Sequence, residues 1–259
     1  MARVASKTDP PSGIGKPSQD VPAVLLVGGK GTRLQSVVSS SPKPLAQVRG
    51  APFLQLLLLQ LRSQGVHRLL MCSGHLADQI EDQFGDGGNL DLKIEYSKES
   101  QPLGTAGALR FAERHLEKVP AFFVMNGDSF LELDFAAFLR FHRRHSGLVS
   151  MAVSRVPDSS RYGTVQMNDD QRVVGFYEKV QQKVPGTING GVYVLDRAVL
   201  DDIPSGASSL EKDVFPRLLN RGVYGFEQTG VFIDIGTPED YARADALYDS
   251  LYRAAVERK

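Results

Sequence analysis

The stretch VPAVLLVGGKGTRL, residues 21–34, carries most of the information about this fold. It begins as a continuous apolar run and breaks into a loop of glycines with a lysine and an arginine. Uninterrupted Val/Leu runs are what parallel strands covered on both faces require. A glycine loop after such a strand lets backbone N–H groups approach an anion. Two familiar phosphate loops fail on spacing. A P-loop needs G-x-x-x-x-G-K-[ST], but here the lysine lies between the glycines and no Lys-Ser/Thr pair follows. The dinucleotide pattern G-x-G-x-x-G, started at Gly29, reaches Gly31 and then meets Leu34 where its third glycine should stand. The physical content survives both failures. Gly28, Gly29 and Gly31 can expose their N–H groups, and Arg33 offers a planar fork suited to phosphate oxygens. Taken alone, the loop also has a lesser reading as a tight strand-to-helix turn with a solvated arginine.

Outward from this loop the chain alternates. Strand patterns at 23–28, 67–74, 92–97, 121–127 and 149–156 are separated by helical patterns at 52–64, 76–84, 105–117 and 134–145. The alternation predicts an α/β fold: a Rossmann-like, doubly wound, mixed but mainly parallel sheet flanked by helices, with ligands at the carboxyl ends of the strands. After residue 156, YGTVQMNDDQRVVGFYEKV reads as a hairpin turning at NDDQ. INGGVYVLD and VFIDIG are further strands, and 197–203 and 209–220 are helical patterns. A long helix is expected over about 238–257. Thr237 caps it, Pro238 occupies its first position, and Glu239 and Asp240 face the positive end of its dipole. Residues 1–20 are polar and rich in Pro, Ser and Gly, which predicts a disordered extension before one domain over 21–259.

Composition bounds the function. Thirty basic and thirty acidic residues give zero formal charge, so bulk electrostatics offer nucleic acid nothing and any basic site must be local. No apolar stretch approaches the ~20 residues a bilayer span needs, and FLQLLLLQL (53–61), interrupted by glutamine, reads as a buried helix. Cys72 is the only cysteine, inside LLMCSG. That excludes an internal disulfide and a cysteine-rich metal site, fits a reducing cytoplasm, and makes Cys72 a small core residue. His142 and His145 flank two arginines and read as an exposed basic face.

A second basic element is SPKPL, residues 41–45. Prolines on both sides of Lys43 stiffen the backbone and fix where the lysine points. GGKGTRL followed at this spacing by PKP resembles the signature of the sugar-1-phosphate nucleotidyltransferases. The likeness runs from about residue 21 to 247 through QPLGTAGAL (101–109), NGDS (126–129), YEKV (177–180), NGGVYV (189–194) and FIDIGTPEDY (232–241). It implies a GT-A-like nucleotidyltransferase fold, with a nucleotide-binding part over about 21–156 and a sugar-binding part over about 157–235. By the resemblance, Gly28, Gly29, Gly31, Thr32 and Arg33 wrap a nucleoside triphosphate. Arg33 and Lys43 neutralise its phosphates, while Gln101, Gly104 and Thr105 border its base. Asp128 and Asp234 hold Mg2+. Gly127, Glu178, Lys179, Asn189 and Gly190 contact a sugar 1-phosphate, with Lys179 on its phosphate. The implied partners are these two small molecules, with neither nucleic acid nor membrane; a homodimer is left open.

The inventory makes chemical sense without the family. A sugar-phosphate oxygen attacking the α-phosphorus of a triphosphate brings two anions together, and such transfers depend on positioning and electrostatic stabilisation. Arg33, Lys43, Lys179 and a metal ion supply positive charge, and no protein nucleophile is needed. Each residue also has a plainer reading: Asp128 as a capping residue, Asp234 as half of a buried ion pair. Glu178 and Lys179, on opposite faces if in a strand, read without the resemblance as a solvated pair rather than as site residues. PLGTAGAL resembles the guanylyltransferase form of the base loop, favouring GTP over UTP, dTTP or CTP. The compact length, SSLEKDVFP and FIDIGTPEDYARA resemble enzymes acting on manno-heptose 1-phosphates, with mannose 1-phosphate enzymes as the alternative; both feed bacterial surface glycans. A regulatory protein that binds sugar nucleotides without turnover is the alternative outside catalysis.

Overall fold

The apolar run of residues 23–26 becomes the central strand of a nine-stranded mixed sheet. This architecture comes from a computed structural model, which describes residues 21–29, 34, 41–177 and 183–257. The predicted N-terminal extension lies outside the described residues, as do Gly31, Thr32, Arg33, Glu178 and Lys179.

The strands are β1 (Ala23–Leu26), β2 (Gln47–Val48), β3 (Ala51–Pro52), β4 (Arg68–Ser73), β5 (Lys93–Lys98), β6 (Ala121–Asn126) and β7 (Ser129–Leu131), then β8 (Val149–Val156), β9 (Thr164–Met167), β10 (Val173–Tyr177), β11 (Gly186–Asp196), β12 (Val223–Gln228) and β13 (Phe232–Asp234). The helices are α1 (Phe53–Ser63), α2 (Ala77–Phe84), α3 (Gly104–Phe111), α4 (Phe135–His145), α5 (Phe215–Gly222), α6 (Pro238–Ala246) and α7 (Tyr248–Val256). In the main sheet β5, β4, β1 and β6 run parallel, β11 joins antiparallel to β6, and β9 and β10 extend the sheet beyond it. Strand β8 pairs with β11 and carries β12 parallel at its far side. Alternation along β1 explains why both faces are covered. Ala23 and Leu25 point into one core with α1 and α4, while Val24 points into another with α3 and α5. Each core depends on burying large side chains, at about 25 cal/mol per Å² of apolar surface removed from water.

The parallel strands all end at one edge, which places the loops that begin with Gly28, Gly74, Glu99 and Gly127 side by side. Position 104 illustrates how tightly this edge is built. Gly104 has φ of +71°, and a Cβ there would meet the Ser208 carbonyl oxygen at 2.5 Å, so both conformation and space demand glycine.

Several expectations are corrected. The long C-terminal helix is two helices, α6 and α7, separated at Leu247 with φ −95° and ψ 2°. The break turns α7 onto α1, so that Leu251 and Ala255 join the core. The helix expected over 105–117 stops at Phe111 and continues as a short 3-10 turn at Glu113–His115. His142 is not exposed: it is buried, with its ring bonded to the Ser150 hydroxyl at 2.9 Å. The spacing Phe135, Phe138, Leu139, His142 explains this, because those positions share one face of α4. Burial pulls its pKa down to about 4. His145, at the end of the same helix, is half-buried against Phe141 and Tyr224. Cys72 is in the core as expected, and burial pushes its thiol up to about 12. Among the described residues, no helix is long and apolar enough to cross a membrane.

Candidate active site

Two short strands bring the candidate acids together. Asp128 immediately precedes β7 and Asp234 ends β13, and the antiparallel register sets Asp234 opposite Ser129. The backbone N–H of Ile235 also donates to the carbonyl of Asp128 at 3.0 Å. Strand β7 is anchored from behind by Gln60, whose side-chain amide donates to the Leu131 carbonyl at 2.9 Å. One glutamine that interrupts the apolar α1 run is thus wholly buried and holds the strand beside the acids.

Lys43 lies between them. Its Nζ is 2.6 Å from Asp128 Oδ2 and 3.7 Å from Asp234 Oδ1, and its side chain is mostly buried. Pro42 and Pro44 frame a 3-10 turn over Lys43–Leu45 that directs the stem inward. Asp234 Oδ1 also accepts the Gly236 N–H at 2.5 Å. Burial and then the neighbouring Asp128 charge raise the Asp234 pKa above its ordinary value, against the opposing pull of Lys43. Two carboxylates on one lysine leave an excess of negative charge, so the cluster suits a hard cation. Among the described residues no group of three or more His, Cys, Asp or Glu converges. One or two carboxylates suffice for a hard divalent cation, with waters and substrate oxygens in the remaining positions.

Beside the acids opens a pocket of about 580 Å³. Asp234, Gly236 and Thr237 form one wall, Arg161 to Val165 another, with Asn189, Glu211 and Lys212 opposite. Asn189 therefore faces the pocket, whereas Gly190 is buried behind it, where a Cβ would meet Leu131 Cδ2 at 2.7 Å. Gly127 is likewise buried, its N–H bonded to the Leu26 carbonyl at 3.0 Å, with Val27 packed against it. On the other side, Gly28 and Gly29 are exposed after β1, and among the described residues nothing would lie within 4 Å of a Cβ at Gly29. Gln101 is exposed. The Thr105 hydroxyl donates to Glu211 at 3.1 Å and accepts from the Leu210 N–H at 2.8 Å, so it is engaged within the protein.

Sequence reading missed three side chains that shape the site. Glu99 stands over Gly28 and Gly74 and accepts the Leu103 N–H at 3.3 Å, with burial raising its pKa. Arg161 reaches Asp240 and Thr237 across the pocket wall. Glu211 collects three hydroxyl donors, one of them from the wholly buried Tyr193. None belongs to a pattern with a fixed spacing, so only the folded chain shows them. The one available signal was the acid in SSLEKDVFP, a Ser-x-Glu start to a helical stretch in which Ser209 caps the Lys212 N–H.

A doubly wound α/β protein whose carboxyl edge carries a glycine loop, a lysine and two converging aspartates belongs to the class of proteins that handle phosphate anions. The family model described as "Nucleotidyl transferase" matches residues 22–250. The chain belongs to this family. The mannose-1-phosphate guanylyltransferase of Mycobacterium tuberculosis is 40% identical over 233 residues, covering 88% of this chain and 65% of that relative. The chain therefore spans just under two-thirds of that relative's length. The D-glycero-alpha-D-manno-heptose 1-phosphate guanylyltransferase of Aneurinibacillus thermoaerophilus is 36% identical, covering 86% of this chain and 96% of the relative. The crystal structure of HddC from Yersinia pseudotuberculosis complexed with GMP-PN matches with a TM-score of 0.80 at 34% identity, over 88% of this chain and 99% of that one.

Proposed function

We propose that this chain transfers GMP from GTP to the 1-phosphate of a manno-configured sugar, releasing pyrophosphate, with Mg2+ held by Asp128 and Asp234. The observation that carries the reading is Lys43 set between those two carboxylates beside a pocket wide enough for a sugar. An oxygen of the sugar phosphate attacks the α-phosphorus, a new P–O bond forms, and the bond to the leaving pyrophosphate breaks. Lys43 supplies fixed positive charge where the two phosphates meet, and the acids orient it. When bound, the divalent ion would screen the triphosphate charge and steady the leaving group. Arg33 and Lys179 complete the cationic set, Arg33 on the triphosphate and Lys179 on the sugar phosphate. Gly28, Gly29, Gly31 and Thr32 offer backbone donors to the triphosphate, with Gln101 at the base and Asn189 and Glu178 at the sugar.

Glu99 supports guanine. A carboxylate beside a triphosphate loop repels phosphate, but it is a good partner for a base with two adjacent N–H donors. Guanine has that edge in its N1–H and N2–H2 groups, and adenine, uracil and cytosine do not. The names of the relatives above, and the GMP-PN bound to HddC, agree with this choice. For the sugar, a manno-heptose 1-phosphate is the first reading and mannose 1-phosphate the second, the latter favoured by the 40% identity to the Mycobacterium tuberculosis enzyme. A lone buried thiol and a nucleoside triphosphate substrate suit the cytoplasm. Pyrophosphate release over a grid of four nucleoside triphosphates and several sugar 1-phosphates tests the reading. It predicts turnover with GTP and manno-configured sugars; turnover with UTP or dTTP but none with GTP refutes the base assignment.

A further inference from the structure

We propose that Glu211 is a positioning residue that couples the nucleotide side of the pocket to the sugar side, so that each substrate strengthens binding of the other. The proposal rests on the guanylyltransferase reading above. The Glu211 carboxylate accepts three hydroxyl hydrogen bonds, two from elements remote in the chain and one from its neighbour Ser209. Oε2 takes Thr105 of α3 at 3.1 Å and Ser209 at 2.9 Å, and Oε1 takes Tyr193 of β11 at 2.9 Å. Because the carboxylate accepts at all three links, it sets their direction. With its hydrogen bond donated to Glu211, the Tyr193 hydroxyl can otherwise only accept, and it accepts from Asn189 Nδ2 at 2.7 Å. That fixes the Asn189 amide, whose Oδ1 takes the Gly191 N–H at 2.9 Å. On the other branch Thr105, having donated to Glu211, accepts the Leu210 N–H at 2.8 Å.

One carboxylate therefore dictates both the first turn of α3, which follows the base loop, and the orientation of a pocket-lining asparagine. Tyr193 lies entirely within the core, so its hydroxyl cannot exchange its partners with water. A substrate that orders either branch leaves less to be ordered by the second, which is positive coupling without a large movement. Glutamine at 211 would accept at one atom and donate at the other, so at least one branch must reverse or break.

The test is calorimetry of binding of D-glycero-α-D-manno-heptose 1-phosphate and, separately, of mannose 1-phosphate, with Mg2+, in the absence and presence of the inert analogue α,β-methylene GTP. The wild-type protein should bind the sugar phosphate at least about 5-fold more tightly with the analogue present, within the usual range for coupled sites. Glu211→Gln and Tyr193→Phe should both bring that ratio close to one. Tyr193→Phe keeps the core packed and should leave the analogue's own Kd within about two-fold, a split that general loosening of the fold would not produce. Binding of both ligands with undiminished coupling in both variants overturns this proposal alone. Failure of the wild type to bind the GTP analogue, or to bind both sugar phosphates, overturns the guanylyltransferase reading and this proposal with it.

Discussion

The ion pair between Arg161 and Asp240 should be the strongest single electrostatic contribution at the pocket wall. Asp240 sits in the first turn of α6 with only 4% of its side chain exposed, while Arg161, from the loop between β8 and β9, is 39% exposed. Arg161 forks onto both carboxylate oxygens at 2.6 and 3.1 Å and donates to Thr237 Oγ1 at 2.6 Å. Arg161→Met keeps the apolar stem and removes the charge, leaving a buried carboxylate that cannot turn to water. Exposed pairs contribute at most ~1 kcal/mol and broken buried pairs cost about 3–5. One partner is nearly buried and the other partly wet. Arg243, 58% exposed, still reaches Asp240 at 3.0 Å. The loss should therefore be about 2 kcal/mol. For a domain of this size, that lowers Tm by about 4–8 °C. Calorimetric melting of Arg161→Met, Asp240→Asn and the double variant measures the pair directly, and the coupling energy should be about 1–2 kcal/mol. A Tm change within about 1 °C for Arg161→Met, or a cycle that closes on additivity, refutes the argument. Because Tyr162 and Gly163 line the pocket beside Arg161, KM for the sugar phosphate should rise more than KM for the triphosphate.

Four further outcomes are expected. Asp234→Asn should abolish most pyrophosphate release yet raise Tm at pH 7–8. The raised folded-state pKa means the proton is held more tightly when folded, so stability from this group is present at low pH and lost as pH rises through that pKa. The Tm advantage of the variant should thus shrink on acidification, and Mg2+ should stabilise the wild type but not the variant; a variant melting below wild type at pH 8 contradicts this. His142, pulled down to about 4, gives the opposite trend. Its contribution is full above the unfolded pKa near 6.5 and is lost as pH falls towards 4, on the order of 2–3 kcal/mol in all. His142→Gln should therefore flatten the pH dependence of Tm across that window, and an unchanged slope would exclude His142 as its source. Glu99→Gln should reduce the preference for GTP over ATP by about 10-fold or more, the size of a lost two-point base contact; unchanged selectivity in competition assays would remove Glu99 from base reading. Gly104→Ala should lower Tm sharply, since it combines positive φ with a 2.5 Å clash against a backbone oxygen. A Tm equal to wild type would show that the Ser208 segment gives way.

Much of the fold was legible in the chain. The run at 149–156 is β8 to the residue, and the hairpin at NDDQ forms between β9 and β10. Continuous apolar runs report strands buried on both faces, and the Thr237 cap does accept the Asp240 N–H. What failed was local regularity read too far. A helical pattern does not reveal that α6 and α7 must turn at Leu247, because the turn answers to the position of α1. His142 looked basic and exposed between arginines, although its spacing from Phe135 and Leu139 already put it on the buried face. Strands β2, β3, β7 and β12 were not foreseen, being very short or lacking a long apolar run.

The candidate acids divide the same way. Taken by itself, the chain pointed to phosphate chemistry, through a glycine loop and a proline-framed lysine whose combination at this spacing resembles a known signature. It also marked Asp128 and Asp234 as charges at the ends of apolar strands, positions that call for a partner. Which partner was decided only by tertiary structure. Residues 43, 128 and 234 meet because β7 and β13 pair in one register and a 3-10 turn aims a lysine between them. Glu99, Arg161 and Glu211 became visible for the same reason. Burial, hydrogen-bond direction and the sharing of one charge among several neighbours depend on distance in space, and no spacing along the chain encodes them.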